Sequence, residues 1–302
     1  MSEKNEFLNG VIMNKINNIL LIINYAKKIS GEYICSLYEI LSENGRTVSV
    51  FADSFSEFQK LCPSLQPSVI SQGSKLSDID IAVVLGGDGS IIRAARQISA
   101  YDIPILGINF GHVGYLAELE ETDTDMLSHV LDGDFTVEER MMLTARIKRT
   151  DGSITYTPPA LNDIVLSNGP IAKLLSFDIC CAGIVIQHCR ADGLVIATPT
   201  GSTAYSMSAG GPILSPVLDA FCLTPICPHS LGNRPVILPG SSTVSISGIG
   251  TVDENSVYIT VDGNKAEKLS PGDEISVERA GTKAKIIRLQ NNRFLSILKS
   301  KL

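Results

Sequence analysis

Two short segments combine small residues with side chains that could take part in phosphate chemistry. Gly86-Gly-Asp-Gly-Ser90 follows the apolar run 81–85 and precedes a helix-like segment. Thr198-Pro-Thr-Gly-Ser-Thr-Ala-Tyr205 follows another strand-like run about 110 residues further along the chain. Small residues directly after a strand let a bulky ligand approach the backbone closely. Both segments are therefore candidate ligand-binding turns.

Asp88 is the residue of the first turn that could do chemistry. Glycines at the carboxyl end of a strand let backbone N–H groups reach a phosphate, and the start of a helix favours negative charge. A carboxylate there repels a phosphate unless it serves a metal or a hydroxyl, so Asp88 is a candidate to accept a proton from an attacking hydroxyl. On turn chemistry alone, an ordinary βα turn with Asp88 as the N-cap is an equally good interpretation.

The common nucleotide-binding fingerprints are absent from the sequence. No G-x-x-x-x-G-K-[ST] occurs, and no G-x-G-x-x-G follows the first strand. Gly107, Gly111 and Gly114 form a glycine-rich loop with the wrong spacing for a dinucleotide fingerprint. A bound nucleotide would therefore be held by a different architecture.

The first part of the chain alternates strand-like and helix-like segments. Apolar runs predict strands at 19–23, 47–51, 81–85 and 104–109. Helical spacing predicts helices over 32–44 (closed by Gly45), 91–100 and 123–131. Repeated β-α-β units predict a Rossmann-like parallel sheet that is covered on both faces.

The pattern changes near residue 138 to short alternating runs and turn dipeptides. Strands are predicted at 144–149, 153–157, 236–238, 241–247, 257–261 and 274–279. Asp151-Gly152 indicates a hairpin between the first two of these strands. The exception is 204–209, which predicts a short helix opened by Ser202 or Thr203. This half is mostly antiparallel β.

The predicted fold class is α/β plus all-β. An N-terminal Rossmann-like α/β domain over 1–140 carries the GGDG βα turn, and a mostly antiparallel β domain covers 141–284. The apolar segment 292–298 predicts that the tail 285–302 rejoins the first domain. A length of 302 residues also favours two domains.

Composition and net charge limit the kinds of molecule that we expect this protein to bind. The net charge is −7 and no Lys/Arg stripe occurs, which argues against nucleic acid or an anionic membrane as partner. No apolar run approaches the roughly 20 residues of a membrane helix. The seven cysteines include no C-x-x-C pair, which predicts neither a metal pair nor a disulfide framework. We expect a cytoplasmic protein with reduced thiols.

The motifs, in this order, resemble the NAD kinase family. Gly86-Gly-Asp88-Gly is similar to the first family motif, and Gly107–Leu116 to the next loop. Asn162-Asp163 resembles the Asn-Glu/Asp motif that binds NAD, with the shorter acid. Asp192-Gly193 and Thr203–Ser208 resemble the main NAD-binding segment. The match continues in order at 210–216, 228–235 and 261–264.

The resemblance implies an activity and a set of site residues. The terminal phosphoryl group of ATP, or of polyphosphate, would move to the adenosine-ribose 2′-hydroxyl of NAD to give NADP. Asp88 would be catalytic, and Gly86 and Gly87 would form the phosphate loop. A divalent cation, Mg²⁺, would bridge the donor phosphates, and the sequence does not identify its protein ligands. The implied NAD-binding residues are Gly89, Arg93, Tyr115, Asn162, Asp163, Lys173, Arg190, Asp192, Thr203, Ala204, Tyr205, Ser206, Met207, Ser208 and Asn264. The family also implies a homodimer or homotetramer.

Each motif taken alone has a plainer interpretation. Asp262-Gly263 is a strong hairpin signal, and Asn162-Asp163 could be a strand entry with local hydrogen bonds. A lone Arg93, Lys173 or Arg190 is usually a solvated surface charge. The rival functions are a lipid kinase or phosphofructokinase with the same GGDG turn, a non-catalytic NAD-binding regulator, and a purely structural protein.

Overall fold

The computed structural model describes residues 16–71, 76–111, 113–168, 174–250, 257–264, 267–289 and 293–301. The chain divides into two compact units, Met1–Glu139 with Ala284–Leu302, and Arg140–Lys283. In the described residues, no helix is both long and apolar enough to span a bilayer.

The strands, in chain order, are β1 (Asn18–Ile23), β2 (Thr47–Phe51), β3 (Ser68–Ile70), β4 (Ile81–Gly86), β5 (Pro104–Asn109), β6 (Leu119–Glu120), β7 (Thr136–Lys148), β8 (Ile154–Tyr156), β9 (Asp163–Asn168), β10 (Leu175–Cys181), β11 (Ile184–Ala191), β12 (Gly193–Ala197), β13 (Ala220–Ile226), β14 (Val236–Pro239), β15 (Val244–Gly250), β16 (Val257–Val261), β17 (Glu267–Leu269) and β18 (Glu274–Arg288). The α-helices are α1 (Gly31–Ser42), α2 (Ala52–Leu61), α3 (Asp88–Ile98), α4 (Leu127–Leu131), α5 (Tyr205–Ser208) and α6 (Arg293–Lys301).

The first unit is built on a parallel sheet with the strand order β3-β2-β1-β4-β5. The last residues of β18 add a further parallel pairing to β5, with Lys285 opposite Pro104. Every residue of β4 and β5 is buried, as expected for parallel strands covered on both faces. The order of the strands reverses direction between β1 and β4, and ligands of such sheets bind at the carboxyl ends of the strands at this point.

The second unit consists of antiparallel sheets. One sheet has the order β14-β13-β12-β9-β16-β17, and another runs β11-β10-β15-β18. Alternate residues of both sheets share one apolar core, which includes Phe177 of β10, Phe221 of β13 and Ile246 of β15. A parallel α/β unit followed by antiparallel β structure confirms the predicted fold class.

Strands with clean apolar runs were predicted most closely. The structure gives β2, β5 and β16 the predicted bounds, and the Asp151-Gly152 hairpin pairs Arg146 with Tyr156. Helix α1 ends at Ser42, and the following turn reaches positive φ at Asn44 and Gly45, close to the predicted stop.

Several predicted bounds were wrong. Helix α3 begins at Asp88 rather than at residue 91, because the turn glycines lead directly into helical backbone. Strand β18 was predicted to end at residue 279, because the segment around Gly281 interrupts the alternating pattern. In the structure it continues to Arg288. Helix α2 and strands β3, β6, β13 and β17 were not predicted. Strand β15 begins at Val244, after a turn, and not at residue 241.

The predicted cap of the short helix was also wrong. Helix α5 begins at Tyr205 and has no side-chain cap. The Ser202 hydroxyl instead donates to the Pro199 carbonyl at 2.6 Å and accepts from the Leu214 N–H at 2.9 Å. The Thr203 hydroxyl donates to the Thr200 carbonyl at 3.2 Å. The Ser202 hydroxyl therefore joins the preceding loop to Leu214, the Thr203 hydroxyl braces that loop, and neither caps the helix.

The expectation of reduced thiols is wrong for one pair of cysteines. Cys35 lies on α1 and Cys62 directly follows α2, and their sulfur atoms are bonded across a Cα–Cα distance of 5.7 Å. The two residues are 27 positions apart, so it is the packing of α1 against α2 that brings them together. The free cysteines are Cys180, Cys181, Cys189, Cys222 and Cys227.

Candidate active site

The GGDG turn joins β4 to α3 at the carboxyl end of β4. Gly86 has a φ of 154°, and a Cβ placed there would overlap the side chain of Ser90. The Ser90 hydroxyl in turn accepts a hydrogen bond of 2.8 Å from the Asn24 amide, at the carboxyl end of β1. Glycine at position 86 is thus required both by backbone conformation and by close packing.

Asp88 is the first residue of α3, and its carboxylate is held by backbone N–H groups of a second loop. One oxygen accepts from the Tyr115 N–H at 2.8 Å, and the other from the Leu116 N–H at 3.0 Å. The N-cap of α3 is Gly87, so the interpretation of Asp88 as an N-cap is wrong. A Cβ on Gly114 would overlap the carboxylate, so the small residue makes room for it.

This arrangement orients the Asp88 carboxylate and leaves it able to react. A carboxylate has about four lone-pair sites, and the two backbone hydrogen bonds use two of them. The remaining sites can accept a proton from a hydroxyl. A fixed acceptor at the carboxyl end of β4 is what a general base for phosphoryl transfer needs.

The second unit contains an open cleft of about 400 Å³ where the start of β9, the start of α5 and the end of β16 meet. The cleft contains several of the predicted NAD-binding residues. Its lining consists of Asn162, Asp163, Val165, Ser167, Ala204, Tyr205, Thr260, Asp262 and Gly263.

Asp262 organises one wall of this cleft. Its carboxylate accepts hydrogen bonds from three consecutive backbone N–H groups, those of Leu161 at 3.0 Å, Asn162 at 2.8 Å and Asp163 at 3.1 Å. Asp262 and Gly263 both have positive φ, as in a tight turn. The segment Asp262-Gly263 is therefore a turn, as predicted, and the Asp262 carboxylate also fixes the backbone of the Asn162-Asp163 motif.

Burial sets the ionisation of the neighbouring carboxyl group. Asp163 is 5% exposed. Burial, and to a smaller extent the Asp262 carboxylate, raises the pKa of Asp163 from 3.8 to about 7. Because Asp163 is partly protonated near neutral pH, it can donate as well as accept a hydrogen bond.

The Thr198–Tyr205 segment is fastened to the Asn-Asp motif from the other side. The Thr198 hydroxyl donates to the Leu161 carbonyl at 2.5 Å, and the Thr198 N–H donates to the Asn162 carbonyl at 2.9 Å. A Cβ on Gly201 would overlap the Asn162 backbone. The small residues of this segment thus allow two motifs far apart in sequence to touch.

The remaining predicted residues of the second unit have varied surroundings. Tyr205 and Met207 are exposed, as is Ser208, whereas Ser206 is buried and its hydroxyl lies 2.9 Å from that of Thr224. The structure therefore assigns Ser206 a packing contact within the unit.

Two predicted cations and two further polar residues lie at the surface. Arg190 and Asp192 are exposed at the junction of β11 and β12. The Asn264 amide donates to the carbonyl of Asp262 at 2.9 Å. Arg93 is exposed on α3. Lys173 lies outside the described residues.

Tyr115, one of the implied NAD-binding residues, has neighbours of its own in the first unit. Its ring centroid lies 5.8 Å from that of Phe294, and the Lys301 ammonium is 4.6 Å from the centroid. Both neighbours belong to α6, so the tail covers part of the Tyr115 ring.

Sequence reasoning missed three residues that shape these sites. Asp262 fell within the 261–264 match but was favoured as a turn residue with no contact of its own, and Asn24 was not singled out. Arg140 is buried, and its guanidinium donates to the Thr200 hydroxyl at 3.1 Å. The sequence carries no clear signal for Arg140, because an arginine that follows Glu138 and Glu139 looks like a solvated surface charge.

Comparison with known proteins identifies the family to which this chain belongs. The family models for the ATP-NAD kinase N-terminal and C-terminal domains match residues 19–135 and 161–289. An NAD kinase of Natranaerobius thermophilus is 36% identical over 95% of this chain and 98% of its own length. An NAD kinase of Symbiobacterium thermophilum is 42% identical over 76% of this chain and 81% of its own. The chain belongs to the NAD kinase family.

Solved structures show the same fold. The crystal structure of yeast NADH kinase complexed with NADH superposes with a TM-score of 0.85 at 29% identity, covering 99% of this chain and 91% of that one. An NAD kinase from Archaeoglobus fulgidus in complex with ATP gives a TM-score of 0.65 at 23% identity, covering 93% and 97%, and supports the fold alone.

Membership of the NAD kinase family confirms the recognition made from the motifs and fixes the reaction class. The protein is a phosphotransferase with an alcohol group as acceptor, and it phosphorylates NAD to NADP. The rival interpretations as a lipid kinase, a phosphofructokinase, a non-catalytic regulator and a structural protein are therefore wrong.

Proposed function

We propose that Asp88 is the group that accepts the proton of the adenosine-ribose 2′-hydroxyl as this oxygen attacks the terminal phosphorus of the donor. The observation that carries this role is the orientation of the carboxylate by two backbone N–H groups. Phosphoryl transfer needs little covalent help from the protein, so a fixed proton acceptor and correct positioning are its main contributions. Gly86, Gly87 and Gly89 leave the backbone open to phosphate oxygens.

The cleft of the second unit holds NAD in this proposal. Asn162, Thr203, Ala204 and Ser208 define the adenine end. Asp163 holds a ribose hydroxyl, and its raised pKa lets the carboxyl group donate a hydrogen bond.

Other residues complete the NAD contacts. Asp192 and Tyr205 lie on the nicotinamide side, and Ser206, Met207 and Asn264 shape the pocket around them. Arg93, Lys173 and Arg190 are the cations that neutralise phosphate charge.

A divalent cation, Mg²⁺, accompanies the donor. Among the described residues, no group of three or more His, Cys, Asp or Glu side chains could hold a metal ion. The oxygen donors at the carboxyl ends of β4 and β5 are the Asp88 carboxylate and the buried Asn109 amide oxygen, which has no hydrogen-bond partner. This donor set fits Mg²⁺, which takes few protein oxygens and keeps substrate phosphates and water as ligands. When bound, the ion neutralises charge on the transferred group.

We also propose ATP as the donor, with polyphosphate as a second candidate, and a cytoplasmic location. The two compact units are the working domains, an α/β domain over 1–140 rejoined by the tail and a β-rich domain over 141–284.

A homodimer or homotetramer is proposed on the strength of one surface. Ile184, Val185 and Ile186 are between 37% and 66% exposed, and they lie on β11 at the edge of its sheet. An exposed apolar edge strand is a ready surface for pairing with another copy. Sedimentation of the wild type and of an Ile184→Lys variant tests this, and two identical monomeric profiles would contradict it.

The first test of the proposed chemistry is NADP formation by the purified protein. NAD or NADH is supplied with Mg²⁺ and either ATP or polyphosphate, and product is measured for the wild type and for Asp88→Asn. We expect the wild type to form NADP from NAD and ATP, and the variant to keep only a small fraction of the wild-type turnover. Normal turnover by the variant would show that Asp88 is not the proton acceptor. Product formed with polyphosphate and not with ATP would show that polyphosphate is the donor.

A further inference from the structure

Arg288, at the end of β18, is a buried arginine that lies outside the site residues discussed so far. It is 7% exposed, and its guanidinium donates to four acceptors. Two are the carboxylates of Glu138 at 2.8 Å and Glu118 at 3.1 Å. The other two are the backbone carbonyls of Leu116 at 3.1 Å and Tyr115 at 3.3 Å.

The same short segment binds the Asp88 carboxylate through its N–H groups. The Tyr115 carbonyl and the Leu116 N–H belong to one peptide unit. Arg288 binds the oxygen of that unit, and Asp88 binds its hydrogen. The guanidinium therefore fixes the plane of the peptide that orients one carboxylate oxygen. A cation at the carbonyl end also polarises the unit and strengthens the hydrogen bond at its N–H end.

We propose that Arg288 is a positioning residue for Asp88, acting through the 115–116 peptide from 172 residues further along the chain. This inference rests on the proposed role of Asp88 as proton acceptor. The tail that carries Arg288 is thus part of the catalytic architecture of the first unit.

The chemistry of arginine suits this role in a way that lysine does not. The guanidinium is a planar fork with five N–H donors, and here Nε, Nη1 and Nη2 all have acceptors. A lysine ammonium keeps the charge near Glu118 but is a point with three donors. Arg288→Lys therefore keeps a positive charge that can pair with Glu118, but it loses the hydrogen bonds that fix the 115–116 peptide.

A purely structural ion pair is the alternative, and the chain offers a matched control. Arg149, in the second unit, is ion-paired with Asp273 at 2.7 Å and with Glu267, and it donates to the Lys268 carbonyl at 3.0 Å. Arg149→Lys therefore disturbs a network of similar composition that makes no hydrogen bond to the 115–116 peptide.

The experiment measures kcat, KM for NAD and for ATP, the NAD dissociation constant and the melting temperature. The variants are Arg288→Lys, Arg149→Lys, Asp88→Asn and the double variant Arg288→Lys/Asp88→Asn. We expect Arg288→Lys to lower kcat at least tenfold with an NAD dissociation constant within twofold of the wild type. Arg149→Lys should keep kcat within twofold. In the Asp88→Asn background, Arg288→Lys should cause no further loss, since its effect passes through the missing carboxylate.

Each failure has a separate meaning. An unchanged kcat in Arg288→Lys, an equal loss in Arg149→Lys, or a full additional loss in the double variant would overturn the inference. Normal turnover of Asp88→Asn would instead overturn the proposed function. If Arg288→Lys does not fold, Arg288→Gln is judged by the same criteria, because its amide can still donate to one of the two carbonyls.

Discussion

Two aspartates, one in each unit, are placed in opposite environments. The Asp88 carboxylate accepts a backbone N–H at each oxygen, at the start of α3. Asp163 is buried beside a second carboxylate, and its pKa is raised to about 7. Backbone donors fix where a carboxylate points, whereas burial next to a like charge changes whether it carries a proton. The first arrangement suits proton transfer, and the second suits hydrogen bonding to a substrate.

The largest expected effect tests the first half of this comparison. Asp88→Asn keeps the size of the side chain but removes its basicity, so kcat should fall roughly 100- to 10,000-fold. The NAD dissociation constant should change less than threefold, because the fold and the cleft of the second unit are unaltered. Steady-state kinetics and calorimetry measure both. Asp132→Asn, an exposed carboxylate of the same unit, is the control. A parallel loss of NAD binding would mean that Asp88 binds substrate instead.

The second prediction concerns the protonation of Asp163. A carboxyl group whose pKa rises from 3.8 to about 7 on folding stabilises the fold fully only below pH 4, and that stability is lost as the pH rises to 7. Relative to Asp163→Asn, the wild type should lose about 3 kcal/mol of unfolding free energy between pH 5 and pH 8. Urea denaturation at the two pH values measures this, with Asp53→Asn, an exposed carboxylate, as control. A difference that does not vary with pH would show that Asp163 is ionised throughout.

The third prediction concerns the position of the Asp88 carboxylate, which a substitution can move without removing the group. The Cβ of Gly114→Ala would overlap this group, so the carboxylate must shift. Misplacement by about 1 Å should lower kcat about 100-fold, with NAD affinity retained. Gly281→Ala is the control, because its Cβ meets no neighbour within 4 Å. Wild-type kcat for Gly114→Ala would show that the exact placement of the carboxylate does not matter.

The smallest effect tests the second half of the comparison. Asp163→Ala removes a hydrogen-bonding group from the cleft, so the NAD dissociation constant should rise roughly tenfold. The KM for ATP should stay within twofold of the wild-type value. If the KM for ATP rises and NAD affinity is unchanged, the Asn-Asp motif has been assigned to the wrong substrate.

Local patterns predicted a large part of this molecule. The apolar runs that form β2, β5 and β16 gave the observed bounds, and the GGDG segment was correctly placed at the turn between a strand and a helix. These features depend on neighbours in sequence, such as side-chain alternation and glycine at a strand end. Helix α2 was missed although a signal for it was present, because Phe55, Phe58 and Leu61 recur at helical spacing.

By itself, the sequence determined the fold class, the family and the residue types at both candidate sites, because periodicity and short motifs are written along the chain. Only the tertiary structure decided which groups hold those residues in place. Asp88 binds amides 27 and 28 residues away, and Asp262 binds amides about 100 residues away. The Cys35–Cys62 bond likewise depends on how two helices pack. Such pairings depend on which distant segments the fold brings into contact, and no local sequence pattern encodes that.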